Sequence, residues 1–244
     1  MNKHRRTLLP LLLIAALAML AGTPAKAEVL EKTMDVGGTT VHYKVVLPNN
    51  YDPKKTYPAV LGFGGGPQTM NVVDNVIARN FRDEAEKRGY IVVVPAARDD
   101  VLFFEGGEHI FPEFLDKILA EYKIEGNKFH AAGPSNGGIS SFHVASLNPD
   151  YFLSITAFPG YLWEPLPEHV AAISQMCINM FVGELDPMGW QRTMQSQTAA
   201  FRARGMNAHY TVEKGQPHRL DTLAGPNAAR LFDLFEQARH GCAK

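Results

Sequence analysis

Residues 90–97 are almost wholly apolar, the pattern of a strand covered on both faces. Residues 29–36 and 39–47 instead alternate apolar and polar positions, and Gly37-Gly38 between them marks a hairpin turn. Further apolar runs at 57–63, 128–132, 153–158, 177–182 and 209–213 also predict strands. Between these runs the hydrophobic period lengthens to that of a helix. Residues 72–88 predict a helix that stops at Gly89. Helices are also expected at 110–122, 139–147, 190–204 and 228–239, with a short one near 168–174. Residues 49–55, 98–109 and 161–167 read as loops. An antiparallel pair followed by strands alternating with helices predicts one α/β domain with a mostly parallel sheet. The stretch between residues 158 and 177 is short and holds Pro159, Pro165 and Pro167, so no large lid domain fits there.

Composition agrees with one globular domain. The chain has 244 residues, 45% hydrophobic and 20% charged, enough for a sizeable core. Its first 27 residues form a different pattern. Lys3, Arg5 and Arg6 precede an apolar run at 8–21, and Ala25-Lys26-Ala27 has the small-x-small form of a cleavage site. This predicts a secretory signal peptide at 1–27, a domain at 28–244, and a secreted or periplasmic protein. The apolar run is short for a membrane span and is interrupted by Pro10, so no stable membrane anchoring is expected after cleavage. Loss of Lys3, Arg5, Arg6 and Lys26 leaves 20 basic against 25 acidic residues. That balance carries no electrostatic footprint for nucleic acid. Cys177 and Cys242 both lie beyond the cleavage site. In an oxidising compartment they could pair; equally, Cys177 could be a buried thiol in a strand and Cys242 an exposed one near the chain end.

The stretch with the most chemical content is Gly133-Pro134-Ser135-Asn136-Gly137. It lies between a predicted strand and a predicted helix, the context in which G-x-S-x-G presents a nucleophilic serine. A serine hydroxyl needs a base to take its proton, and the base needs an acid to orient it. In this architecture the order is serine, acid, histidine. The strand at 177–182 is followed by Gly183-Glu184-Leu185-Asp186-Pro187, which makes Asp186 the expected acid and Glu184 the alternative. A helix cap is the simpler role for Asp186. His218, in Gly215-Gln216-Pro217-His218 after the strand at 209–213, has the position of the base. The other eight histidines lie in the signal, in strands or helices, upstream of the serine or the acid, or in the tail. The developing oxyanion needs two donors, expected from the backbone N–H groups of Asn136 and of Gly65 in Phe63-Gly64-Gly65-Gly66. No Gly-Lys-Ser/Thr follows those glycines, so they do not read as a phosphate loop. Phe103, Phe104, Tyr161, Trp163 and Trp190 fall near the carboxyl ends of strands. They could line a substrate pocket or serve as core and rim packing.

With these residues in place, the sequence resembles an α/β-hydrolase over nearly its whole length past residue 27. It is most similar to secreted esterases related to polyhydroxybutyrate depolymerases and feruloyl esterases. The resemblance rests on Gly133-Pro134-Ser135-Asn136-Gly137-Gly138, the Asp186 loop and the His218 loop. It implies a central sheet with helices on both faces and hydrolysis of a small or polymeric ester through an acyl-enzyme, without metal or cofactor. One position departs from the pattern: Phe63-Gly64 stands where such proteins often have His-Gly. The donor expected there is a backbone group, so the departure leaves the activity expectation in place. The rival expectations are a peptidase on the same fold and an inactive binding protein that keeps the fold.

Overall fold

The computed structural model describes residues 28–99 and 101–242; the expected signal peptide lies outside the described residues. The two alternating segments form the hairpin β1 (Val29–Val36) and β2 (Thr39–Val46), with Val36 opposite Thr39 across the Gly37-Gly38 turn. The apolar runs become β3 (Tyr57–Gly62), β4 (Ile91–Pro95), β5 (Ile124–Gly133), β6 (Phe152–Ala157), β7 (Cys177–Gly183) and β8 (Ala208–Glu213). Among the described residues these eight strands make one sheet, in the order β1-β2-β4-β3-β5-β6-β7-β8. Pairings β1–β2 and β2–β4 are antiparallel and the other five are parallel. β4 is buried along its whole length, as its unbroken apolar run demands. β5 starts four residues earlier than its apolar run, because exposed Glu125, Gly126 and Asn127 hide its beginning.

Helices cover both faces. α3 (Phe111–Glu121), α4 (Asn136–Leu147), α5 (Pro167–Ala172) and α6 (Trp190–Arg202) pack on one side, through Phe114, Phe142, Val170 and Phe201 among others. α1 (Met70–Val76), α2 (Arg82–Arg88) and α7 (Ala229–Arg239) pack on the other, around Phe81, Phe232 and Phe235. The single helix expected at 72–88 is not regular. A π turn at Ile77–Phe81 separates α1 from α2. Between β6 and β7 there is only α5 and its flanking loops, so no large lid is present. No helix among the described residues is long and apolar enough to cross a membrane. Cys177 at the start of β7 is disulfide-bonded to Cys242 beyond α7, with a Cα–Cα distance of 5.4 Å. The bond fastens the chain end to the sheet.

Behind the site, β5 carries a buried histidine. His130 Nδ1 lies 2.8 Å from Ser154 Oγ on β6, and its ring stacks on Phe235 of α7 at 5.0 Å. Burial pushes its pKa down to about 3, with Arg239 adding to the effect. The folded protein thus refuses a proton that the unfolded chain takes up below pH 6.5. Stability is lost as the pH falls from about 6.5, and the loss stops growing near pH 3. Between pH 7 and pH 5 the wild type should lose about 2 kcal/mol more stability than His130→Gln. Urea unfolding of both proteins at the two pH values measures the difference; equal losses would remove His130 from this account.

Candidate functional site

The site begins where the chain turns from β5 into α4. Only Pro134 and Ser135 make that turn, and Ser135 takes φ 56°, ψ −125°, a conformation that side chains rarely adopt. It is held there by hydrogen bonds: the Ser135 N–H donates to Pro159 O at 2.7 Å, and the Gly137 N–H to Pro134 O at 2.8 Å. The flanking glycines answer to a neighbour as well as to the turn. A Cβ at Gly133 would lie 2.6 Å from Phe63 O, and one at Gly137 2.5 Å from the same atom. Only bare backbone lets the end of β3 approach the elbow this closely. The approach sets Gly65 beside Ser135, where a Cβ on Gly65 would lie 3.5 Å from Ser135 Cβ. Asn136 Nδ2 donates to Gly66 O at 2.9 Å and closes the same loop. The Asn136 N–H opens α4, where backbone donors have no partner within the helix.

The loops after β7 and β8 converge by the same device. A Cβ on Gly183 would lie 2.1 Å from Pro217 O, so glycine there lets the two loops touch. The N–H groups of Glu184 and Gln216 both donate to Glu213 O, at 2.9 and 3.2 Å, and the Leu185 N–H donates to Gln216 O at 2.9 Å. Glu213 is anchored in turn: its carboxylate accepts from Arg230 of α7 at 2.8 and 3.0 Å, and that guanidinium holds the carboxyl below its usual range. The result is a line of two hydrogen bonds. Asp186 Oδ2 lies 2.8 Å from His218 Nδ1, and His218 Nε2 lies 2.9 Å from Ser135 Oγ. An ionised carboxylate only accepts, so Nδ1–H donates to Asp186 and Nε2 is left to accept the Ser135 O–H. The Asp186 side chain is fully buried, and its other oxygen accepts the Met188 N–H at 2.8 Å. It does not cap α6, whose N-cap is Gly189. Glu184 is turned elsewhere, accepting the Gly215 N–H at 2.9 Å.

The aromatic residues divide. Phe103 is 2% exposed and packs edge-on against Phe63 and Phe111, so its ring belongs to the core. Phe104, Trp163, Tyr161 and Trp190 form a chain of ring contacts, 5.9, 6.1 and 5.2 Å between centroids, that ends with Trp190 edge-on to His218 at 5.1 Å. The cleft that reaches Ser135 and His218, about 260 Å³, is lined by none of Phe103, Phe104, Trp163 and Trp190. Its apolar wall is Val72, Val76, Phe158 and Leu220, and its polar residues include Asn75, Arg79 and Arg219. The pocket is therefore built from the α1–π turn segment and the His218 loop. An expectation confined to aromatic loops could not find it. Among the described residues no group of three or more His, Cys, Asp or Glu side chains is placed to hold a metal ion.

No known protein family profile matches the chain. Dipeptidyl-peptidase 5 of Porphyromonas gingivalis is 32% identical over 141 residues, which is 53% of this chain but only 20% of that protein. Among solved structures, a ferulic acid esterase matches with a TM-score of 0.65 at 18% identity, over 88% of this chain and 99% of its own. Esterase 2 of Thermogutta terrifontis, phosphorylated by paraoxon, matches with a TM-score of 0.65 at 16% identity, over 90% of this chain and 96% of its own. The chain has the α/β-hydrolase fold.

One supporting residue has no signal in the sequence. Gln68, fully buried in a left-handed backbone conformation at φ 55°, lies in the turn after the glycines. Its amide nitrogen donates to Gly64 O at 3.0 Å and to Ser140 Oγ at 2.9 Å, and its amide oxygen accepts the Phe103 N–H at 3.2 Å. It thus ties the Gly64-Gly65 loop to α4 and to the loop at 98–110. Gln68→Leu keeps most of the volume and strands those partners, so it should cost about 2–4 kcal/mol of stability in denaturant unfolding. A loss below about 1 kcal/mol would show that the loop does not depend on Gln68.

Proposed function

We propose that the chain is an exported serine hydrolase that cleaves carboxylic esters. The observation that carries this reading is the continuous Asp186–His218–Ser135 hydrogen-bond line at the strained elbow. Ser135 Oγ attacks the ester carbonyl carbon as its proton passes to His218 Nε2. Negative charge collects on the carbonyl oxygen, between the N–H groups of Asn136 and Gly65. The intermediate collapses, the alkoxide leaves with the proton from His218, and an acyl group remains on Ser135. Water then gives a proton to His218 Nε2, attacks the acyl carbon, and the acid departs as Ser135 regains its proton. Asp186 stays ionised throughout, holding the imidazole in one tautomer and stabilising its charged form. Every step uses groups of this chain, substrate and water. Export rests on the pattern of residues 1–27, and the Cys177–Cys242 bond suits an oxidising compartment.

The stretch shared with a dipeptidyl-peptidase favours a second reading, peptide hydrolysis at the same serine. The cleft speaks for esters. Among the described residues lining it there are two arginines and no carboxylate, a lining that favours an anion over the ammonium of a peptide N-terminus. Wild-type protein should hydrolyse 4-nitrophenyl butyrate with a kcat/KM well above that for a dipeptidyl 4-nitroanilide; the reverse ranking would make it a peptidase. A fluorophosphonate should label the protein at Ser135. Absence of both labelling and turnover would leave a binding protein.

Ser135→Ala should fold and lose both the label and at least roughly 10³-fold in kcat. Asp186→Asn should lose on the order of 10³-fold, since the imidazole would no longer be held in the right tautomer, while Glu184→Gln should stay within about threefold. Steady-state ester kinetics on the three purified variants ranks them. A larger loss for Glu184→Gln than for Asp186→Asn would reassign the acid.

A further inference from the structure

The cleft beside Ser135 has a cationic side that ester hydrolysis does not use. It arises from the π turn. Within that wider turn Asn80 Nδ2 donates to Leu223 O at 2.8 Å, while Arg79 Nη2 donates to Leu220 O at 3.4 Å and to the Asp221 carboxylate. The irregular turn therefore grips the segment that follows His218 and sets Arg79 into the cleft. Wide turns of this kind recur at functional sites. Arg79 is mostly covered, with 21% of its side chain exposed, whereas Asp221 is 76% exposed and does not line the cleft. Among the described residues only Nη2 of Arg79 is engaged, which leaves its Nε–H and Nη1 donors open there. Arg219, the residue after His218, also lines the cleft and is joined in no close ion pair among the described residues, although its charge also acts on Asp221. The chain as a whole has 25 acidic and 24 basic residues, so this one-signed lining is a local feature.

We propose that the cleft selects esters that carry a second, ionised carboxylate, held by Arg79 and Arg219 while the ester carbonyl lies at Ser135. The inference rests on the ester-hydrolase reading given above. A guanidinium offers a planar fork that matches a carboxylate, and two of them beside a low-dielectric wall favour an anion over a neutral group of the same size. Val72, Val76 and Leu220 supply an apolar surface for the spacer between ester and acid. The acid can sit on the acyl or the alcohol half of the substrate, and the recognising chemistry is the same.

Two matched pairs of substrates test this and tell the halves apart. Mono-4-nitrophenyl adipate against 4-nitrophenyl hexanoate places the acid on the acyl side. 4-Acetoxybenzoate against 4-acetoxybenzamide places it on the alcohol side. In at least one pair the acid-bearing ester should have a kcat/KM about tenfold or more above its neutral match at low ionic strength, mainly through KM. That preference should shrink in 0.5 M NaCl, a readout that needs no variant. Arg79→Gln and Arg219→Gln should each cut the ratio about fivefold, with Arg219→Lys keeping part of it. Fluorophosphonate labelling of each variant reports whether the site is still assembled. Failure of both acid-bearing esters to exceed their neutral matches overturns the inference and leaves the esterase reading standing. So does a preference that survives in the Arg79→Gln/Arg219→Gln double variant. If wild type turns over none of the four esters and takes no label, the reading beneath the inference falls, and the inference with it.

Discussion

The close approach of bare backbone at the carboxyl ends of the strands is the constraint on which this site depends. The carbonyl of Phe63 stands where a side chain at Gly133 or Gly137 would have to go, and the carbonyl of Pro217 stands where one at Gly183 would. The first contact brings the Gly65 loop to the elbow; the second brings the acid loop to the histidine loop. A Cβ at any of these positions would come closer to that backbone than a real contact allows, so the segments that carry the site would have to shift apart. Packed interiors have little slack, so such a shift would not be taken up locally.

The strain at Ser135 belongs to the same arrangement. A serine at φ 56°, ψ −125° costs on the order of 1–3 kcal/mol, and it persists because its N–H, the turn and the start of α4 are all fixed. Anchoring continues outward. Gln68 braces the glycine loop from beneath, and the Glu213–Arg230 pair holds the end of β8, whose carbonyl carries both the acid and the histidine loops. Asp186 is dry while His218 is 27% exposed at the rim of the cleft. Their pair thus works with one partner shielded from water, where an attraction between charges is screened less than at the surface.

Two different surfaces flank the histidine. On one side lies the run of rings from Phe104 to Trp190, which abuts the imidazole. On the other lies the cleft with Arg79 and Arg219. The two flanks therefore differ in character, one aromatic and the other an apolar cleft with two arginines.

Much of the fold was legible because it is written in local periodicity. The alternating hairpin, the unbroken apolar run of β4 and the spacing of α3, α6 and α7 each follow from burial of one or two faces, which the order of residues records directly. The G-x-S-x-G elbow and the chain order of Ser135, Asp186 and His218 were legible for the same reason, since each lies at the end of a predicted strand. Contacts between residues far apart in the chain leave no such record. Whether Asp186 or Glu184 faces His218 was decided by how the β7 and β8 loops cross, and whether Cys177 meets Cys242 by where α7 ends. Phe103 entered the core because Phe63 and Phe111 converge on it, and the cleft fell to Arg79 because a helix that reads as regular carries a π turn. The sequence by itself determined most of the elements and the candidate residues at their ends; tertiary packing decided which of those ends meet, because distance across the sheet is set by neighbours that the local pattern does not contain.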